Sequence, residues 1–196
     1  MRALLAVLAV VLLAAVVIGG LLQAAGGDEP AADEGGSFDL AAAQRELAGA
    51  PAPLAALHER ANQLLPGGEA SFERRLAGLE GHPVVINKWA AWCGPCRAEA
   101  PILQRQGVEH GRRIAFLGID WRDSTSSARD FLERHPLPFP SYVDPDGKIA
   151  AALKMPNNIP VTVFLDERGK LAYLHQGGYR TEQDLAADID RYLPGA

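Results

Sequence analysis

Val84-Val85-Ile86-Asn87-Lys88-Trp89-Ala90-Ala91-Trp92-Cys93-Gly94-Pro95-Cys96 joins an apolar run of strand length to two cysteines, the only two in the 196-residue chain. The run over Val84 to Trp89 reads as a buried strand. The CGPC segment opens a helix, with Pro95 tolerated in its first turn. A helix start brings unpaired backbone N–H groups and the positive end of the dipole to the sulfur of Cys93, which favours thiolate over thiol. Cys93 is therefore expected to attack a partner's disulfide. Cys96, one turn inside, is expected to resolve the mixed disulfide, so the pair forms a redox-active disulfide. A permanent cross-link is the competing account, and a loop this small removes little chain entropy. A zinc half-site lacks a second CxxC or a nearby CxxH.

Outward from this stretch, breakers and periodicity divide the chain. The helix continues to about Val108 through Pro101, and Arg113 to Asp120 reads as a strand. Ser124 to Ser127 cap a helix over Ala128 to His135, Pro136 to Pro140 impose an extended path, and Gly147 to Lys154 suggest a short helix. Val161 to Leu165 alternates into a strand, residues 166–169 turn, and Lys170 to His175 supply its antiparallel neighbour. Thr181 caps the last helix. Upstream, Phe38 to Leu65 reads as two short amphipathic helices split by Pro51 and Pro53, and Ser71 caps a third candidate before Gly81-His82-Pro83 breaks it. This order argues an α/β sandwich with a mixed central sheet.

With 48% apolar and 22% charged residues, the chain suits one globular domain plus attachments. A net charge of -5 offers no general attraction to nucleic acid, so no nucleic-acid partner is expected. Ala3 to Ala25 carries no charge and is long enough for a membrane-crossing helix. Arg2 precedes it and Asp28, Glu29, Asp33 and Glu34 follow, so the positive-inside rule puts the remainder outside the cytoplasm. A cleaved secretory signal is the alternative, since Ala24-Ala25-Gly26 offers small residues at a cleavage point. Either way the compartment is extracytoplasmic, and with no third cysteine for an internal relay the electrons must pass to or from another molecule. Five histidines are scattered without metal spacing. Asp144-Pro145-Asp146-Gly147 reads as a turn rather than a calcium loop, so neither metal nor cofactor is expected.

Taken together, residues 85–96, Glu99 with Pro101, an insertion from about Asp120 to Lys154, Ile159-Pro160-Val161-Thr162 and Gly177-Gly178 resemble the membrane-anchored TlpA/ResA-like thiol-disulfide oxidoreductases of the thioredoxin superfamily. The resemblance runs from about Glu69 to Leu193. It implies a thioredoxin-like sandwich with helices on both faces and a family insertion between the central βαβ unit and the C-terminal hairpin. The chain then divides into a transmembrane signal-anchor (1–25), an acidic flexible linker (26–37), a helical N-terminal extension (38–68) and the thioredoxin-like domain (69–196).

The resemblance also distributes roles. Thioredoxins carry a buried Asp where this chain has Asn87, which cannot ionise and is expected either to bond a neighbouring backbone group or to stand as a simple strand-end polar group. Glu99 stands one helical turn after Cys96, where ResA-like proteins carry an active-site glutamate, and is the expected proton acceptor. The alternative is a solvated glutamate paired with an arginine. Trp92, Gly94, Pro95, Ile159 and Pro160 are the expected substrate-binding residues, Pro160 occupying the fold's cis-proline position. Lys88 replaces the family's aromatic residue and is expected to snorkel towards water. Gly94-Pro95 resembles the dipeptide of thioredoxin, reducing at about -270 mV, rather than that of the oxidising DsbA type at about -120 mV. The resemblance thus implies reduction of disulfide-containing exported clients, apocytochrome c among them, with a membrane thiol-electron donor and a role in cytochrome c-type biogenesis. An oxidase or isomerase is the second reading. A copper carrier of the same fold is a third, although such carriers space their cysteines by three residues and add a histidine.

Overall fold

In the computed structural model, which describes residues 38–195, the elements run in the order α1 (Leu40–Glu46), α2 (Ala52–His58), β1 (Leu64–Leu65), α3 (Gly68–Ala77), β2 (Val84–Trp89), α4 (Gly94–His110), β3 (Ala115–Trp121), α5 (Thr125–Arg134), β4 (Ser141–Asp144), α6 (Lys148–Ala152), β5 (Val161–Leu165), β6 (Leu171–Gln176) and α7 (Glu182–Tyr192). The anchor and linker expected over 1–37 lie outside the described residues. Among the described residues, no helix is long and apolar enough to cross a membrane.

The six strands form one mixed sheet in the order β1-β4-β3-β2-β5-β6. β1, β4, β3 and β2 are parallel, while β5 runs antiparallel to both β2 and β6. Every residue of β2, β3 and β5 is buried, the signature of strands covered on both faces. One core packs Val85, Trp89, Phe116 and Phe164 against α4, α5 and α7 through Cys96, Leu103, Phe131, Leu185 and Ile189. The other packs Ile86, Leu117, Ile119 and Val163 against α2, α3 and α6 through Leu54, Leu57, Phe72 and Ile149. Burying each such side chain contributes roughly 1.5–3 kcal/mol, so two cores hold the sheet with no cross-link beyond the Cys93–Cys96 pair.

Two short strands depart from the sequence pattern. The second upstream helix ends at His58 rather than near Leu65, and Leu64–Leu65 pair with Ser141 and Tyr142. β4 occupies the four residues between Pro140 and Pro145, just beyond the extended path expected over Pro136 to Pro140. Its register is fixed at Gly118, where a β-carbon would stand 2.1 Å from Ser141 Oγ. Glycine there lets Trp89 Nε1 donate to that hydroxyl at 3.0 Å.

Lys88 corrects a further expectation. It does not snorkel: the residue is fully buried, because Trp121 and the segment after α6 close over the end of its stem.

Candidate active site

β2 leads through Ala90-Ala91-Trp92 to Cys93, which caps α4 in extended conformation, its Sγ accepting from the N–H of Cys96 at 3.2 Å. Cys93 and Cys96 are joined in a disulfide, the oxidised half of an exchange cycle. Both are buried, at 3% and 2% exposure, so position at the helix cap rather than exposure distinguishes Cys93. Beside them Trp92 is 55% exposed, its indole donating to the Arg122 carbonyl at 3.4 Å. The turn is fastened on the other side by Asp123, whose carboxylate accepts from the Ala91 N–H at 2.6 Å, and by Arg97, which donates to the Ala91 carbonyl at 2.8 Å.

Glu99 is 1% exposed and, among the described residues, forms no ion pair with an arginine, so it is not the solvated glutamate of the alternative account. Its Oε1 accepts from Asn87 Nδ2 at 2.9 Å and its Oε2 from the Tyr179 N–H at 3.1 Å. Burial pushes the carboxyl up to about 7, against these two hydrogen bonds, which favour the charged form. A group titrating there can take or return a proton at neutral pH. Asn87 bonds side chains rather than backbone: its second amide hydrogen reaches Thr162 Oγ1 at 3.1 Å, across the β2–β5 register. Asn87 therefore holds the Glu99 carboxyl in place.

Gly178 shows how closely these parts converge. A β-carbon there would stand 3.4 Å from Glu99 Oε2, 3.5 Å from the Pro95 carbonyl and 3.6 Å from Pro160 Cγ. The Ile159–Pro160 peptide is cis, and the Pro160 carbonyl accepts from the Gly177 N–H at 3.0 Å. Glu99, the Pro95 carbonyl and Pro160 thus converge on Gly178, with Pro95 lying between the two cysteines and Trp92 exposed beside them.

The sequence assigns no site role to Asp120, Thr162 or Tyr179. Asp120 is 2% exposed, its Oδ1 lacks a hydrogen-bond partner, and burial, then Asp123 and Asp144, push its pKa up to about 7. Tyr179 is set by its hydroxyl, which donates to Asp188 at 2.7 Å, and by stacking on His175. Asp144 caps α6, accepting from the N–H groups of Ile149 and Ala150 at 3.0 Å, so the acidic turn is occupied in holding a helix. Among the described residues, no group of three His, Cys, Asp or Glu side chains is placed to hold a metal.

Known proteins agree with this geometry. A family model described as the AhpC/TSA family matches residues 49–174. The thiol:disulfide interchange protein HelX of Rhodobacter capsulatus is 31% identical, over 74% of this chain and 80% of that protein. The thiol-disulfide oxidoreductase ResA of Oceanobacillus iheyensis is 32% identical over 53% of this chain, which spans 54% of that relative's length. Among solved structures, a secreted thiol-disulfide isomerase from Corynebacterium glutamicum superposes with a TM-score of 0.54 at 34% identity, covering 61% of this chain and 73% of that one. The family match covers more than half of the chain, and with the vicinal cysteines at the helix cap it gives the conclusion that this chain belongs to the AhpC/TSA family, as a thioredoxin-like thiol-disulfide oxidoreductase.

Proposed function

We propose that this chain reduces disulfides of exported proteins, apocytochrome c among them, from a position outside the cytoplasm to which residues 1–25 tether it. The observation that carries the reading is the cysteine pair at the cap of α4 with, one helical turn further on, a buried Glu99 carboxyl raised to about 7. The Cys93 thiolate attacks one sulfur of a client disulfide, releasing the other as a thiolate and leaving a mixed disulfide. Cys96 then attacks Cys93 Sγ, its proton passing to Glu99, and the client leaves with both sulfurs reduced. Two electrons have moved from the enzyme dithiol to the client. The proton on Glu99 is returned to solvent or to the departing thiolate.

Ile159 and Pro160 on one side and Trp92 with Gly94 and Pro95 on the other form the surface along which an extended client lies. Support for the compartment comes from the uncharged run Ala3 to Ala25 and from the word secreted in the description of the Corynebacterium structure. A membrane thiol carrier renews the dithiol, since the described core holds no third cysteine. That same Corynebacterium protein is described as an isomerase, which keeps isomerisation as the second reading.

A Cys96→Ser variant tests the client claim. Expressed in its own compartment, it is expected to stall as mixed disulfides on Cys93 with exported proteins that carry a CxxC. Absence of any such adduct, with Cys93 reactive towards a small disulfide, overturns the reading.

A further inference from the structure

Lys88 lies on the face of β2 turned away from Glu99, opposite Ile119 on β3 and Val161 on β5, both members of the second core. At 0% exposure it places an ammonium where an apolar side chain would fill the space without a desolvation penalty. Two groups meet the charge. Nζ donates to the Pro156 carbonyl and lies 4.6 Å from the centroid of the Trp121 ring. Burial pulls the pKa down to about 8, the Asp144 carboxylate opposing the fall and the Arg122 guanidinium adding to it, so the ammonium persists at neutral pH.

Both partners lead to the rim of the sulfur site. Pro156 opens the segment that ends in Ile159-Pro160. Trp121 is followed by Arg122, whose carbonyl accepts from Trp92, and by Asp123, whose carboxylate fastens Ala91. Lys88 itself sits on the strand that delivers Cys93. One buried charge therefore ties together the strand that leads to the sulfurs and the two sides of the rim.

We propose that Lys88 is a positioning residue for client binding, its ammonium fixing the Ile159–Pro160 segment and the Trp92 side at the separation an extended client requires. It touches neither the client nor the sulfurs. The proposal rests on the reading of Ile159, Pro160 and Trp92 as client-binding residues.

The test uses the reduced protein with two substrates: an extended peptide carrying a CxxC disulfide, and bis(2-hydroxyethyl) disulfide, too small to span the rim. Lys88→Met keeps the length of the stem and removes the charge. It is expected to raise KM for the peptide about tenfold, as loss of uniform binding does, with kcat nearly constant and no matching change with the small disulfide. Equal slowing with both substrates would mean a purely structural role and overturns the proposal. Ile159→Ala, measured alongside, separates the premise from the inference. If it raises the peptide KM while Lys88→Met does not, the client surface stands and the positioning role falls; if neither variant moves KM, both fall. Should Lys88→Met fail to fold, Lys88→Gln is judged by the same criteria.

Discussion

Asn87 and Lys88 are neighbours in one strand, face opposite cores, and are each bound up with a buried ionisable group. On the Asn87 side that group is the Glu99 carboxyl, pushed up to about 7. On the Lys88 side it is the lysine ammonium, pulled down to about 8. The shifts have opposite directions and one leading cause, since loss of water disfavours the charged form of either sign. What separates the two faces is what the groups touch. Glu99 stands against Gly178 beside the Pro95 carbonyl and Pro160 and accepts hydrogen bonds from Asn87 and Tyr179. Lys88 commits its charge to a carbonyl and an aromatic ring, where it holds chain segments together. The same physical perturbation thus acts on a carboxyl on one face, the proton acceptor we propose, and on an ammonium on the other.

Glu99→Gln breaks this contrast most strongly. Removing a general base costs about a hundredfold or more, so decay of the mixed disulfide at pH 7 should slow by that order, whereas an unchanged rate would reassign the base. The same variant changes stability in a direction fixed by the shift. Because the folded carboxyl titrates near 7 and the free one near 4.5, its contribution to stability is fully present below pH 4.5 and is lost as pH rises through about 7. At pH 8 the oxidised Glu99→Gln variant should therefore exceed the parent by on the order of 3 kcal/mol, with a flatter profile between pH 4.5 and 7 in denaturant titrations. Wild-type and variant profiles that rise and fall in parallel would contradict the assignment.

Asp120→Asn sharpens the comparison with a smaller effect on chemistry. Asp120 is also a carboxyl raised to about 7, yet it pairs in register with Trp89 and holds no bond to a reactive residue. Its contribution to stability is likewise lost as pH rises from 3.8 through about 7, so Asn should flatten that part of the profile. The exchange rate should stay within about twofold of the parent, since only groups within hydrogen-bond reach of the proton act as its base. A rate loss as large as that of Glu99→Gln would make Asp120 part of the proton route.

How much of this the sequence discloses follows from how local each feature is. Cys93, Cys96 and Glu99 sit at fixed spacings on one helix, so their order and shared face can be read from residue numbers alone. The partners that set Glu99 cannot: Asn87 is on β2, Thr162 on β5 and Tyr179 beyond β6, and only folding brings them together. β4 escapes because four residues between prolines carry too little alternation, and its parallel partner β3 lies across a helix. Lys88 misleads for a related reason. Strand alternation gives its face correctly, but whether water lies at the end of the stem depends on Trp121 and on the distant Pro156.

The reduction potential of the Cys93–Cys96 couple tests the central claim most directly. Equilibrated against glutathione or dithiothreitol buffers at pH 7, a reductase with the Gly94-Pro95 dipeptide should lie near the thioredoxin value of about -270 mV. A value near the about -120 mV of a strong oxidant would contradict reduction as the direction of catalysis.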